Sequence, residues 1–180
     1  MAADRVLLLG DPRLRASCER VADARAPEAR AGFARLKAAL EDFRAEHGFG
    51  RGIAAPQIGI PRRFVAIDLG EGARCLVNPE ITWRSPGTFT MWDDCMSFPD
   101  LLVRVRRHDS ISLRYQDEEG EERSWDRLGI PESELLQHEL DHLDGVLAID
   151  RAIDRESLVC RAAFDLEPEL FRSQVDYVIA

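Results

Sequence analysis

Five residues, His138-Glu139-Leu140-Asp141-His142, constrain this chain more than any other stretch. Histidines four positions apart share a face on a helix, about one 5.4 Å turn apart, so both imidazoles can reach a single ion. The surroundings point the same way. Pro131 suits a first helical turn and Gly145 a position past the end, so the pattern predicts a helix from Pro131 to Asp144. Glu139, beside the first histidine, can then touch a water on the ion rather than the ion itself. A divalent cation lowers the pKa of such a water toward neutrality, and a carboxylate can take its proton. Two surface histidines around a solvated acid are the plainer alternative, and the helical setting makes it the poorer one.

A second amphipathic pattern runs from Pro27 to His47. Phe33, Leu36, Leu40 and Phe43 recur at three- and four-residue steps, and Gly48 is a natural stop. Between the two helices lie short runs with strand character: Arg63–Leu69, Cys75–Val77, Phe89–Trp92, Leu101–Val105, Ile111–Tyr115 and Arg123–Asp126. Gly, Pro, Asn and Asp break them apart. The expected class is α+β, with mostly antiparallel sheets packed around a central H-E-x-x-H helix, an N-terminal helix and a helical or mixed tail after Asp150. No internal repeat or Ser/Gly-rich linker divides the 180 residues, so one domain over 1–180 is expected.

Composition excludes several classes of function. Apolar residues make up 45% and charged residues 32%, which argues against disorder and low complexity. The net charge of −9 disfavours non-specific binding to nucleic acid or to an anionic membrane. Only Lys37 among the 24 basic residues is lysine, a coding habit more than a mechanism. The early run Val6-Leu7-Leu8-Leu9 is far shorter than an export or membrane segment, so a cytoplasmic location is expected. Four cysteines without paired spacing read as reduced thiols. Cys18, Cys75 and Cys160 look like ordinary core residues, and His47 and His108 like surface or helix-end residues.

Catalytic zinc-like sites usually have three protein ligands and an open position, so two histidines leave the set incomplete. The candidates are Cys95, in Trp92-Asp93-Asp94-Cys95-Met96-Ser97-Phe98-Pro99 at a strand end, or a downstream acid such as Glu156 or Glu167. A third feature is Gly50-Arg51-Gly52-Ile53-Ala54-Ala55-Pro56-Gln57-Ile58-Gly59. Its small residues permit close approach of another backbone or a ligand, and it lacks the Gly-Lys-Ser/Thr ending of a phosphate loop. By itself it reads as a tight turn.

Taken together and in this order, the three stretches resemble the peptide deformylase family, with its G-x-G-x-A-A-x-Q, E-G-C-x-S and H-E-x-x-H motifs. The similarity extends to Leu9–Arg15, like the family's opening segment, and to Val77-Asn78-Pro79-Glu80-Ile81, like its central strand. The resemblance implies a metal-dependent hydrolase that removes the N-formyl group from the formylmethionine of newly made peptides and releases formate. It implies one divalent ion held by Cys95, His138 and His142, Fe2+ in the cell, with Zn2+, Ni2+ or cobalt able to occupy the site. It further implies Glu139 as general base, and the Gln57 amide with the Met96 backbone N–H as stabilisers of the oxyanion. Gly52 would let the substrate lie alongside as an added strand.

Several positions depart from the family pattern. Asp93 stands for the family's Glu and is expected to pair with Arg107, bracing the ligand strand. Asp94 replaces a glycine and adds a negative charge beside the metal strand, which disfavours a free thiolate and leaves deprotonation to metal binding. Arg51 and Glu134 occupy substrate-pocket positions that are usually apolar. They are expected to pair and remodel the pocket, or one of them to recognise a polar substrate side chain, the alternative being that both reach solvent. Substrates of another kind, N-formyl or N-acyl with a polar side chain, and a non-catalytic homologue are the other readings. The tail from residue 151 onward has four Arg against six acids, so electrostatic docking on the ribosome is not expected. Oligomeric state is not legible.

Overall fold

The computed structural model describes residues 5–179; residues 1–4 and 180 of the expected 1–180 unit lie outside the described residues. Helix α1 spans Pro27–His47. It starts with proline in its first turn and stops at Gly48, whose left-handed backbone donates its N–H to the Arg44 carbonyl. Its buried stripe is the one the spacing predicts: Phe33, Leu36, Leu40 and Phe43.

Strands β1 (Gly52–Ala54), β2 (Phe64–Ile67), β3 (Arg74–Arg84), β6 (Ile111–Gln116) and β7 (Glu122–Trp125) form a five-stranded antiparallel sheet in the order β1-β2-β3-β6-β7. Strands β4 (Thr88–Asp94), β5 (Leu101–His108) and β8 (Leu158–Cys160) form a second antiparallel sheet in the order β4-β5-β8. Helix α2 (Ile130–Leu143) carries the H-E-x-x-H string, and the short helices α3 (Arg161–Leu166) and α4 (Pro168–Arg172) belong to the tail.

The period of two along a strand sorts the core. In β2, Phe64 and Ala66 pack with the α1 stripe, whereas Val65 and Ile67 pack with Leu135, Leu136, Leu140 and Leu143 of α2. Both faces of this sheet are covered, which is why β2 is a continuous apolar run. The second sheet has its own cluster around Phe89, Met91, Val103 and Val105. Helix α2 is buried almost all round, so its polar side chains need partners within the protein. Ser133 Oγ donates to the His108 carbonyl at 2.8 Å, and Gln137 bonds both the N–H and the carbonyl of His108 at 3.0 Å. Just past α2, Gly145 has φ +73, and a Cβ there would run into the Arg15 carbonyl.

Three expectations are revised. The Gly50–Gly59 stretch is not only a turn, since Gly52–Ala54 is an edge strand leading into a 3-10 helix over Ala55–Ile58. Strand β3 runs on well beyond Val77. Asn78, at φ 51, bulges the ladder while its side chain accepts from Val21 N at 2.8 Å and donates to Val21 O at 2.9 Å. Cys160 is exposed at the end of β8 rather than in the core. Among the described residues no helix is long and apolar enough to cross a membrane.

Candidate metal centre

The ladder between β4 and β5 ends at Asp94 paired with Leu102, and the chain then turns and carries Cys95 toward α2. Cys95, His138 and His142 are all buried, and one ligand atom from each lies within 4.8 Å of the other two. The Cys95 Sγ is 3.3 Å from His142 Nε2, and the two Nε2 atoms are 3.2 Å apart. Among the described residues this is the group of three such side chains able to hold a metal ion. Glu156 and Glu167 are exposed and outside it, so the acid alternative for the third ligand is not met by the geometry.

The donors fit a divalent cation. Asp93 Oδ2 lies 3.0 Å from His138 Nδ1 and accepts from it, which fixes the ring with Nε2 toward the thiol and the second imidazole. A thiolate with two imidazoles is a donor set for Fe2+, Zn2+, Ni2+ or Co2+. Glu139 Oε2 is buried with no hydrogen-bond partner, as expected of a carboxylate whose partner is a water in the centre of the site.

Behind these three side chains runs a chain of buried charge. Arg107, only 4% exposed, donates to Asp93 at 2.9 Å and to Asp141 at 2.6 Å, and Asp141 also accepts from Arg151 at 2.8 Å. The expected Asp93–Arg107 pair is therefore present. Asp141 and Arg151 extend it, although Asp141 is inside the H-E-x-x-H string and gave no separate signal. Burial opposes charge on Asp93, but the charges of and hydrogen bonds from His138 and Arg107 outweigh it and hold the carboxyl well below the usual range. Burial also works against a charged His138, yet Asp93 raises it well above its ordinary value; His142, buried and facing His138, is pushed well below. Burial lifts Glu139 to about 7.

Gln57 comes from the 3-10 helix. Its Oε1 accepts from Ala54 N at 2.8 Å, which turns Nε2 toward Cys95 Sγ at 3.7 Å and Ser97 Oγ at 3.2 Å. Ser97 was not singled out from the sequence. Met96 follows Cys95, and no acceptor among the described residues takes its backbone N–H. The space beside Gly52 is filled by Glu139: a Cβ there would sit 2.8 Å from Oε1 and 3.1 Å from Cγ and Cδ. Glycine at this position thus makes room for the carboxylate as well as for any added strand.

Arg51 and Glu134 meet across a cleft of about 290 Å³ that is also lined by Gln57, Cys95, His138 and Glu139. Arg51 donates to Glu134 and to the Pro131 carbonyl at 3.1 Å. Glu134 is 2% exposed, so the alternative in which both reach solvent is not what forms. Burial raises Glu134 to about 7 although Arg51 draws it down. Asp94 lines the same cleft and pairs with Arg161 at 3.1 Å, and Ile179 of the tail reaches it too.

A thiol and two imidazoles able to hold one divalent ion, beside an unpartnered buried carboxylate, make an arrangement that suits the metal-assisted hydrolysis of an amide. Comparison with known proteins narrows the class. The family model described as polypeptide deformylase matches residues 3–157. The peptide deformylase of Thermotoga neapolitana is 42% identical over 115 residues, covering 64% of this chain and 70% of that one. That of Syntrophomonas wolfei is 40% identical over 105 residues, covering 58% and 68%. In structure, the Thermotoga maritima peptide deformylase aligns with TM-score 0.76 at 34% identity, over 86% of this chain and 100% of that one. The Legionella pneumophila enzyme aligns with TM-score 0.77 at 26% identity, over 96% and 97%. The chain belongs to the polypeptide deformylase family, hydrolases of the N-formyl amide bond.

Proposed function

We propose that this metal-dependent hydrolase removes the formyl group from the N-terminal formylmethionine of newly made peptides, using Cys95, His138 and His142 as metal ligands within one domain over residues 1–180. The observation that carries the residue assignment is the convergence of one thiol and two imidazoles beside an unpartnered carboxylate. When bound, a divalent cation acidifies water and polarises the formyl carbonyl. Fe2+ is the ion in the cell on this reading, with Zn2+ or Ni2+ in purified samples, and the reaction takes place in the cytoplasm.

Glu139 acts as the base. Its buried Oε2 accepts the proton of the attacking water and passes it to the departing amine nitrogen, so formate and a free N-terminus result. The burial of Glu139 beside His138 places a carboxylate where the attacking water would lose its proton. Gln57 Nε2 and the Met96 N–H are donors for the oxygen that becomes negative as the carbonyl turns tetrahedral. Gln57 is oriented for this by the bond from Ala54 N. The free edge of β1 at Gly52 receives the peptide backbone as an added strand, with Arg51, Glu134 and Asp94 around its first residue.

The test is formate release from a formyl-Met peptide. The parent is expected to be active. Glu139→Ala is expected to keep its metal and lose activity, and Cys95→Ala to lose the metal. An inactive, metal-loaded parent would overturn the reading.

A further inference from the structure

The cleft beside the metal cluster has a polar wall, and the donors on that wall are not all used. A guanidinium offers five N–H groups. Arg51 spends one on Glu134 and one on the Pro131 carbonyl, which leaves three without a partner among the described residues. Its side chain is 31% exposed, on the lining of the cleft. A thioether or a hydrocarbon pressed against these donors would strip their water and give nothing back. A side chain ending in an oxygen acceptor would pair them.

Charge decides which acceptor. Of the charged residues lining the cleft, Arg44 pairs with Asp68, Asp93 with Arg107 and Asp94 with Arg161, so the charge that faces Arg51 on this wall is that of Glu134. Glu134 already faces Arg51, so a substrate carboxylate would be a second anion on one cation. A neutral acceptor meets no such repulsion. Glu134, in turn, is 2% exposed and directed at Arg51, so it fixes the guanidinium in place.

Resting on the deformylase reading of this site, we propose that the Arg51–Glu134 pair selects N-formyl peptides whose first side chain is methionine-sized and ends in a neutral hydrogen-bond acceptor, such as a carboxamide or sulfoxide oxygen. The unoxidised thioether, a weak acceptor, ranks below these, and a hydrocarbon of the same length lowest.

The experiment compares kcat/KM for formate release from tripeptides that differ only in the formylated residue: glutamine, methionine sulfoxide, methionine, norleucine and glutamate. In the parent, glutamine and methionine sulfoxide are expected to exceed norleucine at least tenfold, and glutamate to be poor. A smaller advantage overturns the proposal, whereas formate release from none of the five overturns the deformylase reading itself. Replacing both members of the pair by leucine is expected to abolish the advantage, and its persistence would overturn the assignment to Arg51 and Glu134. Because that double variant buries new surface, Glu134→Gln provides a gentler check. It leaves the guanidinium uncompensated, so the formyl-Glu peptide is expected to gain at least tenfold relative to formyl-Gln. No gain would overturn the charge argument.

Discussion

Replacing Arg107 by leucine is expected to damage both the fold and the metal site, by amounts the structure sets. Arg107 is 4% exposed and bridges Asp93 and Asp141. Asp141 keeps Arg151, but Asp93, also 4% exposed, keeps only His138. Breaking one side of a buried ion pair costs about 3–5 kcal/mol. With a single carboxylate orphaned, the lower end applies, about 3 kcal/mol, or about 6–12 °C of melting temperature for a domain this size. Asp93 also orients the His138 ring, so metal affinity is expected to fall about 10–100-fold. Linkage gives the pH signature. Asp93 has a depressed pKa in the folded protein, so its contribution is present above the unfolded value of 3.8 and is lost as pH falls toward the folded value. Arg107 supplies part of that contribution and His138 the rest, so the deficit of the variant is the Arg107 share, largest at neutral pH and narrowing below about pH 4. Urea denaturation of metal-free protein across pH, with chelator competition for Zn2+, measures both quantities. A variant within about 1 kcal/mol of the parent at pH 7, with equal Zn2+ affinity, would refute the reasoning.

Other consequences follow from single contacts. Gly52→Ala is expected to cut formate release at least about a hundredfold with little loss of melting temperature, because the new Cβ displaces Glu139 and not the backbone; unchanged kcat/KM would contradict this. In metal-free protein, Glu139 has a folded pKa raised by burial to about 7, above the 4.5 of the unfolded chain. The folded state then binds more protons, stability falls as pH rises from 4.5 to 7, and Glu139→Gln should flatten that slope in urea titrations. Asn78→Leu removes both bonds to Val21 and an αL-tolerant residue, and should cost about 2 kcal/mol or more in urea denaturation. Stripping the metal with a chelator should abolish formate release, and adding back Fe2+, Zn2+, Ni2+ or Co2+ should restore it; full activity in metal-free protein would contradict the metal assignment.

The legible parts of this chain are those whose signal is local. Helix α1 has its bounds written in Pro27 and Gly48 and its buried face in the spacing from Phe33 to Phe43, and it forms as the pattern predicts. Helix α2 is legible from Pro131, Gly145 and the histidine spacing, even though tertiary packing buries nearly every side of it. The residue pattern alone ends strand β3 at Val77, because Asn78-Pro79 reads as a breaker, and only the resemblance carries the strand on to Ile81; the fold uses Asn78 as a bulge that ties down Val21. Strand β1 was hidden because glycine and alanine carry little strand propensity; its place at an edge is set by β2. In the site, Cys95 could be chosen over Glu156 and Glu167 only through resemblance, because its closeness to His142 joins residues 47 apart in the chain. Asp93 and Arg107 were found through the same resemblance. Ser97 is the serine of the second motif but has no role in the sequence reading, and the contacts of Asp141 and Arg161 are ones that spacing does not encode.

The most direct measurement is X-ray absorption of the zinc-loaded protein. One sulfur at about 2.3 Å together with two imidazole shells is the expected spectrum, and Cys95→Ala should remove the sulfur. A parent spectrum with nitrogen and oxygen shells alone would contradict the assignment of Cys95, His138 and His142 to one ion.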